Sequence, residues 1–508
     1  MPERAALAMD VPRPALPRAA DRGRNDPSAM RRPLSTRRAP RRLAALAAAA
    51  LLAGCGTMIP LLEKPPLPVA ERYPGQPAGG SVAPAAADVP WQDFFADARL
   101  KRLIALALES NRDLRVAALA IEQARAQLQL RRADELPTVG AGVNASRAPG
   151  SNGSIVSTYS AGVQISAWEI DFFGRIRSLS EAARAQLLAT EEARKAVQIG
   201  LVAGVAQAHL ALQADEAQLE ITRQTLETRQ ESLRLTRLRF DNGAASELDL
   251  RQAESLLEGA RVTLAQTTRQ RALDENALVL LLGRPLPADL PPAVPLGTAL
   301  ALADLPAGLP SDLLTRRPDL RQAEQQMVAA NANIGAARAA FFPRISLTAS
   351  AGIASNQLSG LFDNGQFAWT LAPSLLAPIF DAGRNRANLE AATLARSVAT
   401  AQYEKAIQTA FREVADALAG RATLGEQLRA QAAQATALEA TYRLADLRYR
   451  NGVASYLDVL DAQRSLFAAQ LAVAQTQAAQ LQNQVLLYKV LGGGWTEPAG
   501  SSTAAAPR

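Results

Sequence analysis

At 508 residues the chain is long enough for several domains, but with 5% aromatic residues and an excess of Ala, Gln, Leu and Arg it has the balance of long packed helices. One His and one Cys leave no parts for a disulfide framework, a thiolate metal cluster or triad chemistry, so neither an enzyme nor a cofactor or metal site is expected. The formal charge of +7 resides within residues 1–54, where eleven arginines face Glu3, Asp10, Asp21 and Asp26; the remainder is near neutral, which argues against a nucleic-acid partner.

Residues 1–54 read as a signal region. Residues 1–29 are rich in Pro, Arg and Ala without periodicity, and Met30 stands as an alternative start directly before Arg31-Arg32, Arg37-Arg38 and Arg41-Arg42. An apolar run at 43–53, too short to span a bilayer as a helix, ends in Leu52-Ala53-Gly54-Cys55. The segment 30–54 resembles a bacterial lipoprotein signal, which implies that Cys55 becomes the acylated first residue of the mature chain. By the same resemblance, Gly56 in place of Asp after the Cys favours the outer membrane.

Residues 55–90, rich in Pro, Ala and Gly, read as an extended tether. A first repeat, 91–283, opens with helical periodicity from Trp91 through Leu100, Leu103, Ile104, Leu114, Ala118 and Ile121 to Leu136, where Pro137 stops it. The period then changes to two. Val139, Ala141, Val143 and Ala145 alternate with small polar residues, and after a Pro/Gly/Asn/Ser loop the alternation resumes in Tyr159, Ala161, Val163, Ile165 and Ala167. This predicts a hairpin of strands about ten residues long, the length a tilted strand needs to cross a bilayer. From Gly174 to Phe240 there is no Pro, and a continuous helix there would run on the order of 100 Å. His209 lies within it and reads as a surface or packed imidazole rather than a ligand. A turn at Asn242-Gly243 reverses the chain into a helix from Ser246 to Leu282, ended by Gly283 and Pro285. Residues 284–311 are Pro-rich and read as a connector lying against the helices.

The programme then repeats over 312–491. Pro318-Asp319-Leu320-Arg321 answers Arg112-Asp113-Leu114-Arg115, and Phe342-Pro343 answers Leu136-Pro137. Strand alternation returns in Ile345, Leu347, Ala349, Ala351 and Ile353 and in Phe367, Trp369 and Leu371. Asp381-Ala382-Gly383-Arg384 parallels Asp171-Phe172-Phe173-Gly174-Arg175 and opens a second long helix to Tyr449, followed by a turn and a helix from Ser455 to Leu491. Residues 492–508 read as a disordered tail.

The two turns align without a gap: Asn242, Gly243 and Ser246 in the first, Asn451, Gly452 and Ser455 in the second. Asn-Gly takes positive φ readily and Ser stands where a helix N-cap belongs, so each copy predicts a helical hairpin tip. Asp249 and Asp458 fall in the first turn beyond each cap, where the helix dipole favours a carboxylate. That structural role does not account for Asp461, which shares one helical face with Asp458 beside Leu457; repeated around an axis, such a face makes a ring of acid.

Four candidate membrane strands cannot close a barrel, and open edges are not tolerated in hydrocarbon, so the chain must oligomerise. Two or three copies would give eight or twelve strands, and a conduit favours twelve because eight leave the interior filled. Ser160, Gln164, Ser166, Ser346, Thr348 and Ser350 are the expected lumen-facing residues. Two strand hairpins interleaved with two helical hairpins, the Gly-x-x-Ser-x-x-Asp tips, the run Leu460 to Arg464 and the lipobox together resemble the TolC-type outer-membrane efflux channels, lipoprotein (NodT-like) branch, over 55–491. The resemblance implies a homotrimer whose twelve-stranded transmembrane β-barrel, four strands per chain, continues into a long periplasmic α-helical barrel. It implies a passive gated conduit that exports small molecules such as drugs and works with a periplasmic adaptor and an inner-membrane RND-type pump. The family's aspartate constriction falls on Asp458 and Asp461, and the lipoprotein branch's apolar gate on Leu457. A closing link falls on Asp249 and Tyr449, while a second polar link falls on Ala454 and Leu248, which cannot make it.

Two other classes compete. A coiled-coil stalk or adhesin would need sustained heptads, against which the strand hairpins and changes of period weigh. An enzyme using Asp458 and Asp461 as an acid/base pair would need convergent His, Ser, Lys or metal ligands, and none lies nearby in sequence. The transported compound is not written in the chain, since specificity is expected to lie in the pump.

Overall fold

The computed structural model describes residues 56–74, 86–151, 153–296 and 310–495. Cys55 and the signal region lie outside the described residues, as do parts of the tether, of the connector and of the tail.

Helix α1 (Ala98–Ser110) starts where Asp97 accepts the Arg99 amide, and it buries Leu100, Leu103, Ile104, Leu106 and Ala107. Asn111 caps α2 (Arg112–Ala133) in the same way through the Leu114 amide. Strands β1 (Val139–Pro149) and β2 (Ile155–Glu169) follow, then α3 (Arg175–Asp241) and α4 (Glu247–Leu282). The second half runs α5 (Pro318–Ala339), β3 (Arg344–Ser355), β4 (Gln366–Leu376), α6 (Arg384–Arg450) and α7 (Tyr456–Val490). Corresponding elements match in length: α2 and α5 have 22 residues each, α3 and α6 have 67 each. At about 1.5 Å per residue the long helices extend roughly 100 Å.

The four strands form one antiparallel sheet in the order β1-β2-β3-β4. Its register puts Val143, Ala161, Ile353 and Phe367 in one row across the sheet, and Val163, Ala351 and Trp369 in a neighbouring row on the same face. The opposite face carries Asn144, Ser160, Gln164, Ser346, Thr348, Ser350 and Thr370. Both faces have the composition expected of a membrane strand, apolar outside and small and polar inside. One expectation is corrected: between Ile165 and Trp168 the β2–β3 register slips, with Ala167 at φ 47°, so the apolar alternation stops at Ile165 and Trp168 takes the place given to Ala167. Ser166 falls within this bulge rather than in the regular polar row. The bulge adds one residue to β2, which at 15 residues is longer than its neighbours.

The main core lies where α1, α3, α5, α6 and α7 meet, closed by the end of α4 at Leu278 and Leu282. Phe94 stacks on Tyr488 at 4.0 Å, and the Tyr488 hydroxyl donates to the Val89 carbonyl at 2.6 Å. Connector residues Leu286, Leu290 and Leu296 pack against this core, and Gln213 and Gln477 donate to the Val294 and Leu296 carbonyls. Buried Arg317, paired with Asp319 and Glu413 and donating to the Val490 carbonyl, ties the start of α5 to α6 and α7.

The described part of the tether is extended, as its composition suggests, and it is docked. A Cβ placed on Gly174 (φ 71°) would lie 2.6 Å from the Thr57 Cα, Ile59 sits against Gly335, Asn331 donates to the Pro60 carbonyl at 2.8 Å, and Lys64 pairs with Glu324 at 2.6 Å. The segment therefore runs antiparallel to α5. Residues 492–495, expected in the tail, are instead packed: Gly492, Gly493 and Gly494 are buried, and Lys195 stands over the Trp495 ring at 5.1 Å.

Candidate functional site

Both tips fold by the same local chemistry. Gly243 and Gly452 take φ of 71° and 73°, and their amides return to the Phe240 and Tyr449 carbonyls at 2.9 Å. Asn242 and Asn451 each donate through Nδ2 to the carbonyl four residues back, at 2.7 Å. Ser246 and Ser455 then cap α4 and α7 in reciprocal boxes: the serine oxygen accepts the Asp249 or Asp458 amide, while that aspartate accepts the serine amide at 3.1 or 3.2 Å. The structural role expected of Asp249 and Asp458 is thus present in both copies.

The tips meet in a small core of Ala253, Tyr456, Val459 and Leu460, with Leu233, Leu256, Tyr442 and Tyr449 around it. That packing fixes the rotation of α7. With Tyr456, Val459, Leu460 and Gln463 turned inward, Leu457, Asp458, Asp461 and Arg464 form the exposed face, and Asp461 is ion-paired with Arg464 one turn on. Leu457 and Val453 of the second tip and Leu248 of the first are 55, 64 and 66% exposed, so each tip shows apolar side chains to solvent in the isolated chain.

The structure does not bring Asp249 and Tyr449 together. Asp249 Oδ2 accepts from the Ser246 amide and hydroxyl, whereas the Tyr449 ring lies under the Arg239 guanidinium at 4.8 Å and against Tyr456 at 5.1 Å. Tyr456 in turn shares a 2.7 Å hydrogen bond with Ser232. Thus Arg239 and Ser232 of α3 hold Tyr449 and Tyr456, and the first tip is fastened to the second by aromatic contacts that sequence reasoning missed. The signal available was the seven-residue spacing of Tyr442, Tyr449 and Tyr456. Arg239 had no signal, because its partner lies more than two hundred residues away in sequence.

His209, read as a surface or packed imidazole, is packed: it is 2% exposed and bonds through Nε2 to Asp97 at 2.8 Å, a partner the sequence did not indicate; burial opposes ionisation of Asp97, but this partner and the Arg99 amide hold its carboxyl below the usual range. Asp215 of α3 faces Asp274 of α4, and burial together with that second carboxylate pushes its carboxyl up to about 7. Among the described residues, no three His, Cys, Asp or Glu side chains converge as metal ligands.

A four-stranded sheet, apolar on one face and lined with small polar residues on the other, continuing into helices of about 100 Å, defines a class: channels of the outer membrane with a helical periplasmic extension. Comparison with known proteins then gives the family. The family model for the outer membrane efflux protein matches residues 103–284 and 309–493, one stretch per repeat. The chain is 48% identical over 459 residues to the solvent efflux pump outer membrane protein SrpC of Pseudomonas putida, covering 88% of this chain and 97% of that one. It is 44% identical over 455 residues to the outer membrane protein OprJ of Pseudomonas aeruginosa, covering 88% and 95%. Among solved structures, the open-state MtrE outer membrane channel of Neisseria gonorrhoeae superposes with TM-score 0.79 at 41% identity over 87% of this chain and 99% of that one. A membrane protein of Pseudomonas aeruginosa gives 0.81 at 43%, covering 88% and 100%. The chain belongs to the outer membrane efflux protein family, and it is an outer-membrane efflux channel.

Proposed function

We propose that three copies of this chain close a twelve-stranded barrel in the outer membrane and form a passive conduit, gated at the periplasmic tips, for small molecules delivered by an inner-membrane RND-type pump through a periplasmic adaptor. The observation that carries this is the sheet: β1 and β4 have no outer partner among the described residues, yet Trp369, Leu371 and Leu375 are 68, 59 and 65% exposed on its apolar face. Hydrocarbon tolerates neither an open edge nor a four-stranded barrel, and three copies supply the smallest number of strands that leaves a usable lumen. The energy for transport comes from the pump, and the channel supplies a route. Cys55 carries the lipid anchor, the gate is the exposed face of Leu457, Asp458 and Asp461, and the Arg239–Tyr449 contact restrains it.

Relatives are named for export of solvents, toluene and antibiotics, which supports small apolar or amphipathic cargo here. A deletion strain that keeps its adaptor and pump should become as sensitive to such compounds as a strain lacking the pump. Unchanged resistance would sink the proposal for cargo and partners.

A further inference from the structure

Every chain contains one seam between its repeats, β2 against β3, and one pair of free edges, β4 and β1. In sequence, β4 is the second repeat's counterpart of β2, and β1 the first repeat's counterpart of β3. In a closed ring of copies, which is the reading proposed above, each β4–β1 seam between chains is therefore the repeat-related image of a seam that the structure already shows.

The correspondence can be fixed residue by residue. Pro343 answers Pro137, so Ile345 of β3 stands where Val139 stands in β1. The hairpin registers then pair Val139 with Ile165 and Ile345 with Leu375, which sets Leu375 of β4 equivalent to Ile165 of β2. The same step carries Asp171 onto Asp381. Within the chain, Ile165 lies opposite Ala349 and Val163 opposite Ala351. Their images place Leu375 opposite Val143, and Pro373 opposite Ala145, of the next copy.

The surfaces agree with this transfer. Leu375 and Val143 belong to the same apolar face, so the register keeps that face continuous, whereas a slip of one residue would bring Leu375 opposite polar Asn144 or small Gly142 of the inner face. The junction below the strands behaves likewise. Within the chain, the Ile170 amide donates to the Ile345 carbonyl at 2.9 Å, Phe173 stacks on Phe342 at 4.8 Å, and Glu169 bridges to Arg344. By the same steps Phe380 stands for Ile170 and Leu136 for Phe342, and at the free edges both are bare, at 88 and 69% exposure. We infer that a second copy of this chain docks with Leu375 opposite its Val143 and Pro373 opposite its Ala145, and with the Phe380 amide at its Val139 carbonyl.

Directly opposed Cβ atoms lie within reach of a disulfide, while diagonal neighbours about 7–8 Å apart do not. The test uses the full chain extracted in detergent, with Leu375→Cys and Val143→Cys together under mild oxidation. A reducible ladder ending in a three-chain species is expected, and the second in-register pair, Pro373→Cys with Ala145→Cys, should give the same ladder. Leu375→Cys with Ala141→Cys or with Ala145→Cys should leave single chains. Ile165→Cys with Ala349→Cys, the equivalent pair inside one chain, serves as the geometric control. If a shifted pair cross-links in preference, or if neither in-register pair links although the control closes and the native mass is that of three chains, the inferred register is overturned. If the native mass is that of one chain, it is the ring itself that fails.

Discussion

Asp249 and Asp458 show how one residue type at equivalent positions divides between folding and function. Each closes a capping box, so Asp249→Ala or Ser246→Ala should cost about 1 kcal/mol of helix stability, seen as a lower thermal midpoint with little change at the mouth. The gate restraint is expected instead at Tyr449, whose ring meets Arg239 and Tyr456. A partly exposed cation–π contact contributes about 0.5–1 kcal/mol, and three copies repeat it, though coupled sites need not add. Tyr449→Phe keeps the ring and should leave conductance unchanged, whereas Tyr449→Leu and Arg239→Gln should each raise it, and Leu457→Ala should raise it further. If Tyr449→Phe alone opened the channel, a bond from its hydroxyl would be the restraint and the aromatic account would be wrong. At this scale the sequence was legible where partners are local: Asn-Gly, Ser and Asp within eight residues specify a tip. Arg239 over Tyr449 joins distant segments and leaves no local pattern.

Among the elements, the repeated order of helix, hairpin, long helix and tip was readable because each carries its own period. What the period could not show was the irregularity that adapts one element to another: the bulge at Ser166-Ala167, the docking of residues 57–64 along α5, and the carboxylates shared between α3 and α4. The last has a pH consequence. Asp215 faces Asp274, with Arg271, Glu216 and Glu275 nearby, and its folded carboxyl titrates near 7 against an ordinary 3.8. The folded state therefore holds a proton that the unfolded chain has released, so this contribution is fullest below about 4 and is lost as pH rises through 7. Asp215→Asn, which no longer titrates, should exceed the wild type in thermal midpoint by more at pH 8 than at pH 5. A constant difference across that range would mean that the pair is not strained by charge.

On the scale of the whole molecule, sequence, sheet and family agree on an outer-membrane channel, and the alternative of a stalk gives way because an exposed four-stranded sheet with an apolar outer face has no use in it. The anchor is a separate prediction: Cys55→Ser should abolish acyl labelling, with the barrel still inserted, and persistent labelling would place the modification elsewhere. The central claim is that copies of this chain enclose an aqueous path whose narrow end is ringed by Asp458 and Asp461, carboxylates crowded enough to attract cations. It is tested most directly by single-channel current across a planar lipid bilayer, comparing the purified full chain with its Asp458→Asn/Asp461→Asn variant. The account predicts discrete cation-selective steps of one size, and in the variant weaker selectivity and weaker block by multivalent cations. Absence of discrete conductance even in the Tyr449→Leu/Leu457→Ala background, or identical selectivity and block with and without the two aspartates, would contradict it.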